Sequence, residues 1–400
     1  MTRPANPGGR STAPRVVIDL ERTRHANCGL GRFCRHLAEA VLAAPGRSIE
    51  PVLFLPPAPR HERQSVRHFH DGDVEHIDVS PWRKETFARF LRPLVRPLVG
   101  TLGADGDCDL WHVTSQSSKY LPLDARVPVV LTIHDLNFLH DDRHRSRPGA
   151  VRRKLATVQA KVDRAAAVVV ISRFVAADVA AHLDLGRRPL HVVPNGLAPA
   201  APASPRRPSF LPPGPFFLTV GAALPHKNCH VLLPLVARER STRLVIAGRS
   251  STPYGEFVAS EIRRLGLEER VLLPGEVSDG DRQWLYEQCE AFLFPSLAEG
   301  FGFPVLEAMQ CGKPVFAARR TSLPEVAGDR AGWWDSFDPD HMLAVVRDGL
   351  AAAGSTPGFA AGQRAHAAGF SWERAAEEYL RIYGDVLGRS VAPRGEVRCA

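Results

Sequence analysis

The chain has 400 residues, of which 44% are hydrophobic and 24% charged, and it carries a net charge of +8. This length is more than one hydrophobic core usually serves, and the composition excludes a disordered or membrane-embedded protein, so two globular domains are expected. Arginines concentrate between positions 60 and 96, which suits phosphate-bearing partners, but no nucleic-acid-binding motif accompanies them and nucleic acid is not expected as a partner.

The cysteines and the start of the chain indicate a cellular compartment. The seven cysteines are scattered without a CxxC pair, which favours reduced thiols over disulfides or a zinc site. The first 15 residues lack the apolar stretch of a signal peptide, and the longest apolar run, at 165–171, is too short to cross a bilayer. A cytoplasmic location is therefore predicted.

In the first half of the chain, short β-branched runs alternate with amphipathic stretches, which is the pattern of parallel strands joined by crossover helices. Helices are predicted at 31–42, 151–166 and 173–183, with Ser172 as the N-cap of the last one. The strands are predicted at 15–20, 51–55, 109–114, 127–135, 167–172 and 190–195.

Residues 197–214 are dense in proline and have no period, which predicts a linker. The alternation then restarts, with strands predicted at 215–221, 242–248, 270–275, 291–296 and 314–318. We therefore predict an α/β protein with two doubly wound Rossmann-like domains that face each other across a cleft. The predicted parts are domains 1–196 and 215–370, a helix at 371–388 with Ser371 as its N-cap, and a tail at 389–400.

The segment SLAEGFGFPVLEAM, residues 296–309, combines two carboxylates with an open backbone. A strand precedes it, and Pro304 fits the first turn of a following helix, whose unpaired N–H groups form an anion site beside two glycines. Glu299 and Glu307 would repel a phosphate at short range, so we expect them to accept hydrogen bonds from sugar and ribose hydroxyls. The alternative is a loop with one capping glutamate and one solvated helix glutamate.

The longer stretch PSLAEGFGFPVLEAMQCGKPV resembles the glutamate-seven residues-glutamate motif of family-4 glycosyltransferases of the GT-B fold. The resemblance covers nearly the whole chain apart from the termini and residues 56–108, and it implies a reaction that needs no metal and no cofactor beyond the nucleotide-sugar donor. Further stretches agree in order and spacing: CGLGRF (28–33), LTIHD (131–135), VVISRF (169–174), VVPNGL (192–197), LTVGAALPHKN (218–228), LVIAG (244–248), LPGEVSDGDRQWLYEQCEAFLFPS (273–296) and TSLPEVAG (321–328).

The resemblance assigns roles to residues of the second half. Glu307 matches the glutamate that contacts the ribose of the donor nucleotide, and Glu299 matches the one that contacts the transferred sugar. Lys227 matches the lysine that neutralises the donor diphosphate, a charge that is needed because the nucleoside diphosphate departs as an anion. The remaining donor contacts that the resemblance implies in this half fall on Gly221, Phe301, Gly302 and Phe303.

Two features of the first half complete the implied site. Gly29 and Gly31 follow the first strand and open a helix, so the backbone can approach the phosphates there, although a tight turn alone is the alternative. His134 stands at the carboxyl end of a long apolar strand and matches a histidine that lies against the donor sugar; the alternative is a hydrogen-bonded histidine at a strand end. Asp135 would orient that ring or cap a turn, whereas His112 is predicted to be structural.

Two positions depart from the family pattern. Many relatives carry an arginine where Ala222 follows Gly221, and a second basic residue where His226 stands. One cation of the diphosphate site is therefore missing or comes from another position, with Arg249 as one candidate.

Two weaker signals receive other interpretations. The sequence DGD occurs at 71–73, 105–107 and 279–281, and each is interpreted as a loop and not as a metal site. Residues 82–102 place apolar side chains at helical spacing between arginines, which predicts a core-facing helix with a basic rim, and peripheral contact with an anionic membrane at its inner face is the alternative.

The sequence thus predicts a glycosyltransferase that moves a hexose, with mannose as one candidate, from a UDP- or GDP-sugar to a hydroxyl of a glycan or a lipid-linked saccharide. His134, Glu299 and Lys227 are the predicted catalytic residues. Retention at the anomeric carbon is implied by the resemblance alone, and so is a crossing of the last helix back onto the first domain. The alternatives are a nucleotide-sugar or glycan-binding module that has lost catalysis, which Ala222 and His226 would support, and a two-domain sugar-nucleotide epimerase.

Overall fold

The computed structural model describes residues 13–25, 28–55, 69, 74–78, 108–122, 124–140, 148–204 and 206–388. The amphipathic segment 82–102, the arginines between 60 and 96, and the DGD sequences at 71–73 and 105–107 lie outside these residues. Within the described ranges, every helix is too short or too polar to span a membrane.

The first domain is built on one parallel sheet, as predicted. Its described strands are β1 (Arg15–Asp19), β2 (Glu50–Leu55), β3 (His76–Asp78), β4 (Leu110–Val113), β5 (Val129–Ile133), β6 (Ala167–Val170) and β7 (Leu190–Val192). They lie in the order β3-β2-β1-β4-β5-β6-β7, and every residue of β4, β5 and β6 is buried. Strands that are buried along their whole length are typical of a parallel sheet that is covered on both faces.

The described α-helices of the first domain are α1 (Gly29–Ala43), α2 (Pro148–Arg164) and α3 (Arg173–His182). The first two begin two and three residues before their predicted starts, because their first turns contain glycine or proline and no apolar repeat. Ser172 caps α3 as predicted, since its Oγ accepts a hydrogen bond from the backbone N–H of Val175 at 3.2 Å.

A second parallel sheet forms the other domain, again as predicted. Its strands are β8 (Phe216–Val220), β9 (Arg243–Ala247), β10 (Val271–Gly275), β11 (Ala291–Phe294), β12 (Val315–Ala318) and β13 (Ala331–Trp334). They lie in the order β10-β9-β8-β11-β12-β13. Strands β3 and β13 were not predicted, because HID contains a single β-branched residue and AGWW contains none.

Eight α-helices follow β8 along the described chain. They are α4 (Leu232–Arg238), α5 (Pro253–Arg264), α6 (Asp279–Gln288), α7 (Phe303–Gln310), α8 (Leu323–Ala327), α9 (Pro339–Ser355), α10 (Phe359–Ala368) and α11 (Trp372–Val386).

The DGD sequence at 279–281 starts a helix, so its interpretation as a loop was wrong. Ser278 caps α6, with its Oγ accepting from the N–H of Asp281 at 3.0 Å and donating to the carboxylate of the same residue at 2.8 Å. Two acidic residues in the first turn suit the positive end of the helix dipole, which explains aspartates at this position without a metal.

The last helix, α11, packs on the first domain. Tyr379 shares a hydrogen bond with Thr132 of β5 at 2.9 Å, and the Tyr383 hydroxyl shares one with Nδ1 of His112 at 2.7 Å. Nε2 of His112 shares another with the Thr132 hydroxyl at 2.8 Å. Burial lowers the pKa of His112 to about 3, so the ring is neutral and belongs to a buried polar network, which confirms its structural role.

Candidate active site

The two domains meet at the carboxyl ends of their strands. Gly300, in the loop after β11, comes so close to the end of β5 that a Cβ at this position would lie 2.0 Å from the backbone oxygen of His134. The hydroxyl of Ser172 also donates to the Gly300 carbonyl at 2.9 Å. A glycine is required at this contact, which brings the loop that carries Glu299 against His134.

Glu299 and Lys227 form an ion pair within the second domain. Nζ of Lys227 lies 2.5 Å from Oε1 of Glu299, and the Ser296 hydroxyl donates to the same oxygen at 2.6 Å. The backbone of Glu299 is fixed as well, because its N–H donates to Oγ1 of Thr321 at 3.0 Å and its carbonyl accepts from the Ser322 hydroxyl at 2.9 Å. The carboxylate therefore has a defined position and a cationic partner.

The second glutamate of the motif, Glu307, is buried and bound across the cleft. Arg32 of α1 donates to its Oε1, and the Tyr286 hydroxyl donates to its Oε2 at 2.7 Å. Burial by itself would raise the pKa of Glu307, but the charge of Arg32 and the hydrogen bond from Tyr286 hold this pKa below its usual value. The alternative of a solvated helix glutamate is therefore wrong, and an ionised carboxylate lies between the domains.

Helix α7 directs its first turn into the cleft. Gly302 is its N-cap and has a φ of 114°, a left-handed conformation that favours glycine. Phe301 is buried immediately before this cap, and its ring contacts the ring of Phe303 edge to face with centroids 5.3 Å apart. Since the N–H groups at a helix start have no partner within the helix, the segment 301–303 can offer backbone donors to a ligand.

The predicted phosphate contacts near β8 share a small pocket, which Gly221, Ala222 and Lys227 help to line. Gly221 has a φ of 154°, and its carbonyl oxygen would lie only 2.3 Å from a Cβ on Gly248. Ala222 adds no charge to this pocket, and Arg249, which was considered as a replacement cation, is an exposed residue after the end of β9.

The start of α1 faces the start of α7. Helix α1 begins at Gly29, and its N-cap Cys28 accepts from the N–H of Gly31 at 3.4 Å. A Cβ on Gly29 would lie 3.9 Å from the ring of Phe303, so the two helix starts adjoin each other across the cleft. Their free N–H groups and their dipoles favour an anion at the same place.

His134 is buried at the end of β5, and its ring is held in one tautomer. Nε2 lies 2.8 Å from the backbone oxygen of Thr114, which can only accept, so Nε2 carries the proton. Burial lowers the pKa of His134 to about 4 although the hydrogen bond to Thr114 opposes this shift, and the ring is thus neutral at neutral pH. The edge of the ring packs against Phe33 of α1, with centroids 4.5 Å apart.

Asp135 does not orient the His134 ring. Its Oδ1 accepts from the N–H of Asn137 at 3.0 Å and so caps the 3-10 turn Asn137–Leu139, which was the second of the two predicted possibilities. The pKa of Asp135 is raised by burial and by the nearby charge of Glu299, while Lys227 opposes the shift. This carboxylate therefore belongs to the charged groups around Glu299.

Several residues that hold the site were not predicted. Arg32 and Tyr286 bind Glu307, whereas Ser296, Thr321 and Ser322 position Glu299. Arg32 could have been found from its place in CGLGRF, since the first turn of a helix beside an expected phosphate is a natural position for a cation.

The comparisons with known proteins agree with this geometry. Residues 28–200 match glycosyltransferase family 4, and residues 204–348 match the glycosyl transferases group 1 family. The chain therefore belongs to the family-4, group 1 glycosyltransferases, and its two facing Rossmann-like domains have the GT-B fold, as predicted.

The curated relatives include mannosyltransferases. O-antigen chain mannosyltransferase B of Escherichia coli is 33% identical over 175 residues, which are 42% of this chain and 45% of the relative. GDP-mannose:cellobiosyl-diphosphopolyprenol alpha-mannosyltransferase of Komagataeibacter xylinus is 27% identical over 241 residues, which are 57% of this chain and 58% of the relative. Each alignment thus spans about half the length of the relative.

Solved structures share the fold over nearly the whole chain. HepE of Anabaena, in complex with UDP and glucose, is 20% identical with a TM-score of 0.70, covering 93% of this chain and 100% of that one. A sucrose-phosphate synthase of Thermosynechococcus elongatus is 17% identical with a TM-score of 0.70, covering 94% and 99%.

Proposed function

We propose that the protein transfers a hexose from a nucleoside-diphosphate sugar to a hydroxyl of a glycan or of a lipid-linked saccharide. The observation that carries this proposal is the ion pair of Glu299 and Lys227 beside the start of α7, opposite Gly29. The Glu299 carboxylate, which can accept from sugar hydroxyls, then lies next to groups that can bind a diphosphate. These groups are the Lys227 ammonium and the backbone N–H groups at the start of α7. The mannosyltransferases among the relatives make mannose the first sugar to test.

The proposed reaction depends on stabilising the leaving group. Lys227 and the N–H groups at the start of α7 would bind the diphosphate more strongly as negative charge develops on it. Glu299 and the unprotonated Nδ1 of His134 would accept hydrogen bonds from hydroxyls of the transferred sugar. Because His134 stays neutral, its proposed role is to position the sugar and not to carry a proton.

Retention at the anomeric carbon is part of the proposal. The acceptor oxygen would attack the face from which the diphosphate departs, so that its bond to the anomeric carbon forms as the bond from that carbon to the phosphate oxygen breaks. The acceptor's proton would pass to the departing phosphate oxygen, without an intermediate bound to a side chain. Isolation of a protein peptide that carries a covalently bound sugar would contradict this step.

The donor is identified first, by thermal shift with UDP, GDP, ADP and their sugars. A ligand at about 100 times its dissociation constant stabilises the folded chain by about 2.7 kcal/mol, which such a measurement detects. Release of the nucleoside diphosphate is then measured with glycan and lipid-linked acceptors, and we expect it to continue in EDTA.

The variant Lys227→Met is expected to lose activity by about 100-fold or more, because the departing charge loses a direct cation. Lys313→Met, in the same domain but just before β12, is the matched control and should keep full activity. Binding of a sugar nucleotide without release in any acceptor series would favour the catalytically inactive module. Conversion of the sugar nucleotide without an acceptor would favour an epimerase.

A further inference from the structure

Arg32 connects the two domains at the candidate site. It is the fourth residue of α1, and its guanidinium donates to the carboxylate of Glu307 on α7. The guanidinium also lies over the ring of Phe303, with its carbon 5.6 Å from the ring centroid. The side chains of Arg32 and Glu307 are 21% and 10% exposed, so this ion pair is largely shielded from solvent.

Each glutamate of the motif is thus held by a cation. Glu299 pairs with Lys227 inside the second domain, and Glu307 pairs with Arg32 across the cleft. The other oxygen of Glu307 accepts from the Tyr286 hydroxyl at 2.7 Å. Ribose hydroxyls that bind Glu307 would compete with Arg32 for this carboxylate, and a guanidinium that is displaced from it needs another anionic partner, because an unpaired charge in a shielded place is costly.

We propose that Arg32 is a second diphosphate-binding residue, supplied by the first domain, and this inference rests on the proposed function. When a sugar nucleotide binds, both ion pairs open and each of their four charged groups takes a new partner on the ligand. The two carboxylates accept from sugar and ribose hydroxyls, while Lys227 and Arg32 turn to the phosphate oxygens. Every charged group keeps a partner in this exchange, and the guanidinium can form two parallel hydrogen bonds to one phosphate.

The surroundings of Arg32 suit this role. The starts of α1 and α7 adjoin each other, with the Cβ position of Gly29 only 3.9 Å from the Phe303 ring, so the guanidinium lies beside backbone donors that favour an anion. Across the cleft, Ala222 adds no second charge to the pocket that Lys227 lines. Arg32 therefore supplies, from the first domain, the second cation of the diphosphate site.

The test compares three ligands of one base, the nucleoside diphosphate, monophosphate and free nucleoside, by calorimetry with the full chain. Arg32→Met keeps much of the side-chain length and removes the charge. Arg32→Lys keeps the charge but loses the planar guanidinium that can form two parallel hydrogen bonds. Arg35→Met is the matched control, since Arg35 lies on the same helix and pairs locally with Glu39.

For Arg32→Met we expect affinity for the diphosphate to fall about 10-fold or more, because the variant loses a charge-assisted hydrogen bond to the phosphate. Affinity for the free nucleoside should rise, because the ribose no longer competes with Arg32 for Glu307. Arg32→Lys should lie between wild type and Arg32→Met, and Arg35→Met should bind all three ligands like wild type.

An equal loss for all three ligands would overturn the inference, since it would show that Arg32 only holds the domains together. Unchanged affinity for the diphosphate would overturn it as well. If the wild-type protein binds no nucleoside diphosphate, the proposed function fails and the inference falls with it. Diphosphate binding that survives in Arg32→Met but not in Lys227→Met overturns the inference alone.

Discussion

The residues of the motif could be recognised from the sequence, but their partners could not. Glu299 stands in the loop between β11 and α7 and Glu307 one turn inside α7, so their spacing around a glycine-rich helix start marks both as candidates for ligand contact. Arg32 is 275 residues away from Glu307 along the chain, and such a contact leaves no periodic signal. The sequence accordingly predicted the carboxylates and left out the guanidinium and the Tyr286 hydroxyl that hold one of them.

Replacement of Glu299 by glutamine tests the role of this carboxylate. The variant keeps the shape of the side chain but frees Lys227, so affinity for the nucleoside diphosphate should stay the same or rise. The transfer rate should fall by on the order of 100-fold, because the contact to the reacting sugar loses its charge. Calorimetry and a product-release assay measure the two quantities.

The exposed Glu269→Gln in the same domain is the control and should behave like wild type. A parallel loss of diphosphate affinity and rate in Glu299→Gln would show that the side chain only supports the loop.

At the level of elements, close contacts decide which residues the site tolerates. The loop between β11 and α7 can reach the first domain only because Gly300 has no side chain, since a Cβ at this position would lie 2.0 Å from the His134 oxygen. The glycines of this loop were predicted to expose the backbone to a ligand. Their second function, which is to let two domains touch, depends on the tertiary structure and could not be read from the sequence.

Gly300→Ala is therefore expected to destabilise the protein by about 1–3 kcal/mol, which is typical of overpacking at a close contact. Denaturant titration measures this change. The matched control is Gly149→Ala in the first turn of α2, where an added Cβ meets nothing within 4 Å. Its stability should equal or slightly exceed that of wild type, since alanine is the better helix former. Equal stability of the two variants would contradict the contact between loop and strand end.

Two buried histidines, His112 in β4 and His134 directly after β5, should make the stability of the protein depend on pH. His112 and His134 have folded-state pKa values lowered to about 3 and about 4, well below their ordinary value of 6.5. Both rings take up protons on unfolding below that ordinary value, so their contribution to stability is complete above pH 6.5 and is lost as the pH falls towards 4. Each ring contributes a slope of at most about 1.4 kcal/mol per pH unit.

His112→Asn should make the decline of unfolding free energy between pH 6.5 and 5 shallower, and denaturant titrations at several pH values measure this slope. His341→Asn, at an exposed position on α9, is the control and should retain the wild-type slope. A slope in His112→Asn as steep as that of wild type would show that the buried ring is not the cause.

The whole molecule combines a predictable framework with unpredicted connections. Alternating strand and helix patterns on either side of a proline-rich segment gave the two parallel sheets. The contacts that join the domains include single polar ones, such as Glu325 of α8, which accepts from the N–H groups of Arg173 and Phe174 at the start of α3 at 2.9 and 3.2 Å. Such contacts form only when both domains have folded and lie against each other, so the local sequence does not reveal them.

Membrane contact by segment 82–102 stays a hypothesis, the alternative to the predicted core-facing helix. Co-sedimentation of the full chain with vesicles that contain anionic lipid tests it. Binding that does not depend on the anionic lipid would contradict it.

The central claim is that a sugar nucleotide binds between the domains, with its diphosphate at Lys227 and the starts of α1 and α7. The most direct measurement is a crystal structure of the chain with the nucleoside diphosphate that stabilises it most. We expect phosphate oxygens within hydrogen-bonding distance of Lys227 and the backbone N–H groups of 301–303, with the ribose hydroxyls on Glu307. A diphosphate bound outside the cleft between the two domains would show that the proposed binding site is wrong.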